Sequence, residues 1–179
     1  MSVALRTFSL LVVVVLVLAG STMMASDRPL ETVASVDLQK YVGKWYELAR
    51  YPNRFEKKCI ADVTATYTAL PNGTIRVVNA CEDKDGRVTE ANGKAKIVDP
   101  KTNAKLKVTF FWPFYGDYWI VDLAPDYSYA VVSEPKREYL WILARAPQMS
   151  PAEYDRILER LRILGLDPAK LVKTPQSTR

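Results

Sequence analysis

Side chains able to do chemistry are few in this sequence, and the chain contains no histidine at all. That removes the commonest general base and the commonest transition-metal ligand together. A lysine, a carboxylate or an N-terminal amine would have to serve as base, and no serine stands in a recognisable nucleophile elbow. Two cysteines, Cys59 and Cys81, make a poor metal site without histidine. Two charged residues stand out by their surroundings. Glu47 shares a strand face with Trp45 in Gly43-Lys44-Trp45-Tyr46-Glu47-Leu48-Ala49-Arg50, and Arg145 lies in the apolar run Leu140-Trp141-Ile142-Leu143-Ala144-Arg145-Ala146. An arginine in such company needs an aromatic face or carbonyl oxygens for its guanidinium, and Trp45 is the candidate. Glu47 reads either as a structural hydrogen-bond acceptor or as a ligand contact. Catalytic residues, metal and cofactor are all expected to be none, which points to a binding protein rather than an enzyme.

The elements that must position these residues read as strands. Around Gly43, a backbone turn free of a Cβ is followed by an indole driven into a core floor. The alternation of Trp45, Glu47, Ala49 and Tyr51 against Tyr46, Leu48 and Arg50 has the strand period. Residues 63–69 and 74–81 flank Leu70-Pro71-Asn72-Gly73, a type I turn with glycine in the left-handed position. That loop pairs Tyr67 with Val77 and Ala65 with Asn79 on one inner face. Asn79 is the polar exception there, either a satisfied core amide or a contact for a ligand head group. Residues 93–98 and 105–111 form the next hairpin, with Lys105 and Lys107 outward and Leu106, Val108 and Phe110 inward. Residues 118–123, 129–134 and 139–146 supply three more strands. Eight short antiparallel strands close into an all-β, up-and-down barrel with room for one small ligand.

After the eighth strand, Ser150-Pro151-Ala152-Glu153 is an N-terminal helix signal, and Tyr154, Ile157, Leu158, Leu161 and Leu164 recur at helical spacing up to Gly165. One apolar stripe predicts a single C-terminal α-helix packed on the barrel wall. Leu171-Val172-Lys173 predicts a short ninth strand, and the last four residues are expected to be unstructured.

Three segments in order, Gly43-Lys44-Trp45 with its following strand, Asp122-Leu123-Ala124-Pro125-Asp126-Tyr127-Ser128-Tyr129-Ala130-Val131-Val132, and Trp141-Ile142-Leu143-Ala144-Arg145, resemble the signatures of the lipocalins. The likeness spans roughly residues 36–174 and is nearest the lipocalins of the Gram-negative envelope and apolipoprotein D. It implies structural roles for Gly43, Trp45 and Arg145, and a small hydrophobic ligand such as a fatty acid or lysophospholipid. The acyl chain is then expected among Tyr67, Val77, Val108, Phe110, Tyr115 and Trp141, with Glu47 and Asn79 as the polar contacts. A lipocalin-type enzyme, an isomerase or lipid-peroxide reductase, is the rival reading, and an envelope interaction protein a third.

Composition gives the address. Residues 1–25 carry one charge, Arg6, before an apolar stretch of about 12 residues, the layout of a signal peptide and too short to span a bilayer. Cleavage after Ala25, with Ser21 as the alternative, leaves residues 26–179 as a single domain. Many bacterial lipocalins are lipoproteins with a cysteine after Leu-Ala-Gly, whereas this chain reads Leu18-Ala19-Gly20-Ser21. A periplasmic or secreted protein is therefore expected, with outer-membrane association left open. In that oxidising setting an even count of cysteines favours a Cys59–Cys81 disulfide. The formal charge is +5, but acidic and basic residues interleave through 82–87, so nucleic acid is not an expected partner.

With Trp45 at the closed end, the mouth is predicted from loops 52–59, 82–87, 112–117 and 135–138. Phe110-Phe111-Trp112-Pro113-Phe114-Tyr115 brings an aromatic cluster to that rim. It reads as a ligand gate, a dimer contact, a lip touching a membrane transiently, or a packed loop. A monomer or weak homodimer is expected.

Overall fold

The computed structural model describes residues 28–177, and the expected signal segment, residues 1–25, lies outside them. The described residues form nine strands: β1 Gly43–Arg50, β2 Cys59–Ala69, β3 Ile75–Asp83, β4 Val88–Ile97, β5 Lys105–Phe111, β6 Phe114–Leu123, β7 Tyr129–Ser133, β8 Leu140–Ala144 and β9 Val172–Lys173. Each of β2 to β7 pairs antiparallel with the next, β8 pairs with β1, and β1 pairs back onto β2. Eight strands thus close on themselves, which leaves them no exposed edge to template aggregation. β9 adds beside the far half of β1.

Local chemistry sets the register. Leu70 N–H donates to Thr74 O (2.8 Å) and Gly73 N–H to Leu70 O (3.0 Å), with Gly73 at φ +79°. Tyr67 therefore faces Val77 and Ala65 faces Asn79. Because side chains alternate, this one turn decides that Ala65, Tyr67, Ile75 and Val77 enter the barrel.

Two apolar cores result. Inside the barrel, Trp45, Tyr41, Tyr67, Ile75, Val77, Leu106, Ile120 and Leu143 pack together. Outside it, helix α2 (Pro151–Ile163) lays Ile157 and Leu161 on Val121, Val131, Leu140 and Ile142 of β6, β7 and β8. Each such fully buried aliphatic side chain contributes roughly 1.5–3 kcal/mol. Ser150 Oγ caps α2 by accepting from Glu153 N–H (3.2 Å), and Gly165 at φ +70° follows its end. A four-residue helix, α1 (Leu38–Tyr41), closes the bottom.

Three expectations are corrected. The simple alternation of β1 fails at Leu48: pairing with β8 runs Glu47 to Leu143 and then Ala49 to Ile142, a bulge of one residue. Ala49 and Tyr51 consequently join the outer core under α2, while Arg50, opposite Trp141, turns inward. The third mouth loop is shorter than 112–117, because β6 already begins at Phe114. Finally, two of the last four residues are tied down: Gln176 Nε2 donates to Glu47 O and Val63 O (both 2.8 Å), and Ser177 N–H donates to Asp62 Oδ1 (2.6 Å). The tail bridges the seam where β1 leaves β2, so the backbone carbonyls exposed by the bulge find donors there.

Candidate functional site: the barrel interior and its mouth

The closed end is built around Gly43, Trp45 and Arg145. Trp45 is fully buried and donates from Nε1 to Tyr41 O (2.8 Å). The Arg145 guanidinium lies 3.7 Å from the centre of the Trp45 ring and donates to Lys44 O (2.8 Å), Lys40 O (2.6 Å), Tyr41 O (3.1 Å) and Val42 O (3.0 Å). One planar fork thus satisfies the carbonyls at the end of α1 and covers the indole, which a lysine's point charge could not do. Gly43 has φ +101°, and a Cβ there would approach Arg145 Nη1 to 3.3 Å.

Above the floor, tyrosines fill the interior. The hydroxyl of Tyr118 lies 2.7 Å from that of Tyr41 and 3.0 Å from that of Tyr67. Burial pushes Tyr67 up to about 12, against the hydrogen bond to Tyr118, and burial also raises Tyr41 and Tyr118. All three stay protonated as a neutral hydrogen-bonded cluster. Tyr67, expected against the ligand, belongs to this plug together with Tyr41 and Tyr118. The latter two carry no role in the sequence-based expectation, although the alternation of Tyr118 with Ile120 holds a signal for one of them.

Above the plug, β5 and β6 continue toward the mouth. Val108 of β5 pairs with Gly116 of β6 and, on its other side, with inward-facing Ala95. A Cβ built on Gly116 meets nothing within 4 Å, so the inner wall is open here. Val77 and Asn79 face this interior from β3, and Trp141 from β8, where it pairs with Val132 of the inner core. The oxygen Asn79 Oδ1 is buried without a hydrogen-bond partner. Phe110 lies with its ring against Gly93, where a Cβ would come within 2.8 Å of it. Tyr115 does not line the interior: one residue before inward Gly116, it turns outward beneath the Lys96 ammonium, 4.6 Å from the ring centre.

A charged cluster occupies the interior on the β1 and β8 side. Arg50 Nη1 donates to Glu47 Oε1 (2.9 Å) and to Thr174 Oγ1 (3.1 Å), and Thr174 Oγ1 donates to the same Glu47 oxygen. Arg50 Nε faces Glu56 Oε2 at 3.0 Å, an ion-pair contact without hydrogen-bond alignment. Trp141 Nε1 donates to Glu56 Oε1 (2.8 Å). Burial, reinforced by the neighbouring Glu56, pushes the Glu47 carboxyl up to about 8; the Thr174 hydrogen bond and Arg50 only partly offset this. Glu47 therefore keeps its proton at neutral pH. Arg50 and Glu56 are interior residues that sequence reasoning misses, because the bulge that turns Arg50 inward, and the fold of the loop carrying Glu56, leave no mark in the sequence.

At the rim, Phe55 and Tyr139 (5.6 Å) and then Tyr139 and Trp141 (6.0 Å, nearly parallel) form a chain of rings from solvent to interior. On the β5–β6 tip, Phe111, Trp112 and Phe114 are 81, 79 and 75% exposed. The Cys59–Cys81 disulfide is formed, with Cα atoms 5.5 Å apart, tying the start of β2 to β3. Two register shifts in β2, near Ala61, bend the chain enough to bring Cys59 to its partner. Among the described residues there is no group of histidine, cysteine and carboxylate side chains able to hold a metal ion, and no helix long and apolar enough to cross a membrane.

Residues 36–176 match the family model described as a lipocalin-like domain. The chain is 41% identical to temperature-induced lipocalin-1 of Arabidopsis thaliana over 86% of its length and 87% of the relative's. It is 38% identical to the outer membrane lipoprotein Blc of Escherichia coli K12 (83% and 84%) and 36% identical to mouse apolipoprotein D (79% and 77%). Among solved structures, insecticyanin from the tobacco hornworm superposes with a TM-score of 0.66 at 21% identity, covering 83% of this chain and 85% of that one.

Proposed function

This chain belongs to the lipocalin family, whose members bind small hydrophobic ligands, and we propose that its barrel carries a single-chain amphipathic lipid, a fatty acid or lysophospholipid, in the cell envelope. The observation that carries this reading is the inner wall between the tyrosine plug and the mouth, where a Cβ built on inward Gly116 meets nothing within 4 Å. The tail takes the apolar part of that space, beside Val77 and Val108, where each methylene removed from water contributes about 0.8 kcal/mol. The head stays by the charged cluster and the mouth, because a charged group taken deeper would lose its hydration without return.

The exposed β5–β6 tip suits the same role, since Phe111, Trp112 and Phe114 would dip into the interface of a bilayer and bring the mouth to the source of the lipid. Kinship with outer membrane lipoproteins supports an envelope location. The isomerase or peroxide-reductase alternative is disfavoured by the cysteines, both of which are consumed in the disulfide and offer no thiolate. Native mass spectrometry of the protein isolated from its own cells tests the reading. A mass excess corresponding to one single-chain lipid is expected, and a ligand-free protein that also fails to take up added lipid would overturn it.

A further inference from the structure

Arg76 and Lys94 stand directly opposite one another on β3 and β4, and both point out of the barrel, since their neighbours Ile75, Val77 and Ala95 are buried inside it. Like charges so placed repel, and both side chains are exposed, so packing does not require them there. Neither has a side-chain hydrogen bond or an ion pair among the described residues. The other cations of this outer wall are engaged: Lys107 Nζ pairs with Asp117 Oδ1 (2.9 Å), Lys96 lies over the Tyr115 ring, and Lys105 lies over that of Trp119 (4.4 Å). Two free cations remain, and they are not scattered. Together with Asn92, Thr109, Trp112 and Tyr115 they line one open depression at the root of the β5–β6 tip.

Free cations at the foot of a protruding aromatic tip match the layering of an anionic bilayer, in which rings enter the apolar boundary and basic side chains stay at the level of the headgroups. We propose that the tip docks selectively on a bilayer rich in anionic lipid, with Arg76 and Lys94 taking a headgroup phosphate beside Trp112. The proposal rests on the tip touching a membrane, and it adds the surface chemistry selected and the residues that select it. The Arg76 fork suits two phosphate oxygens, the Lys94 ammonium adds a second charge, and the Asn92 amide is a further donor on the same rim. A fluid bilayer can also surround Phe111, Trp112 and Phe114 on every side of a hairpin end joined by two residues, whereas a protein partner would need a cleft cut to fit it.

The test uses the full chain with vesicles of phosphatidylcholine alone and of an equimolar mixture of phosphatidylcholine and phosphatidylglycerol, read by co-sedimentation at low salt. One basic residue at an anionic surface corresponds to about fivefold in binding, so the parent should partition at least about tenfold more strongly onto the mixed vesicles. Combining Arg76→Gln with Lys94→Gln should remove most of that preference and leave binding to phosphatidylcholine unchanged. Because it relieves a like-charge pair, the double variant should melt no lower than the parent. Trp112→Ala should weaken binding to both vesicles. Equal partition of the parent onto the two vesicles, or a double variant that keeps the preference, overturns the proposal while leaving the tip a membrane contact. Failure to bind either vesicle overturns the membrane contact and the proposal together, as does self-association of the chain that Trp112→Ala abolishes. Whether the barrel carries lipid is decided separately, by what it retains or takes up.

Discussion

Glu47 shows how a single side chain can make the barrel sensitive to pH. Its carboxyl is 2% exposed and titrates near 8 in the folded protein, against an ordinary value of 4.5. Between those values the unfolded chain releases a proton that the folded chain keeps, so stability must fall as pH rises through the interval. The thermal midpoint of the parent should therefore decline from about pH 4.5 to about 8 relative to Glu47→Gln, whose amide does not titrate. Parallel curves for the two proteins would show that Glu47 carries no such linkage. At this scale the sequence is informative where chemistry is local: Arg145 among apolar residues demands a ring and carbonyl partners, and those are the groups it meets. It is silent about Arg50, whose inward turn depends on a bulge that no residue type announces.

The element that holds the seam of the barrel is the C-terminal segment. β9 covers the half of β1 that β2 has left, Thr174 N–H donates to Leu48 O (2.9 Å) at the bulge, and Gln176 spans from Glu47 O to Val63 O. Gln176→Ala should cost about 1–2 kcal/mol, since it leaves two strand carbonyls without their donor. Amide exchange should then quicken around Glu47 and Val63 while α2 keeps its protection; uniform change, or none, would mean the tail does not secure the seam. The tail's order is invisible in the sequence because its residues are polar and terminal, and the carbonyls that fix it come from distant strands. By contrast the β2–β3 register follows from Leu70-Pro71-Asn72-Gly73, a turn that fixes pairing within a few residues. The first half of β4, from Val88, gives no strand signal because Thr89, Glu90 and Asn92 show no alternating apolar pattern; pairing with β3 extends it.

Across the whole molecule the polar and apolar groups are sorted along the barrel axis. The floor is sealed by Arg145 and Trp45, the lower interior is filled by Tyr41, Tyr67 and Tyr118, and the open wall at Gly116 lies between that plug and the charged and aromatic mouth. Closure into a barrel, the wall-packed helix and the disulfide are all legible in the chain, because strand period, helix period and cysteine count are sequence properties. The depth at which the tyrosine plug sits is not, since it depends on three hydroxyl groups meeting across strands. That depth makes the central claim measurable through a series of single-chain lipids sharing one head group and differing in tail length, titrated against the full-length protein. Affinity should rise by up to about fourfold per added methylene, the equivalent of about 0.8 kcal/mol, and then level off once the tail reaches the tyrosine plug. An affinity independent of tail length, or tighter binding of a short polar metabolite, would contradict a lipid-carrying barrel.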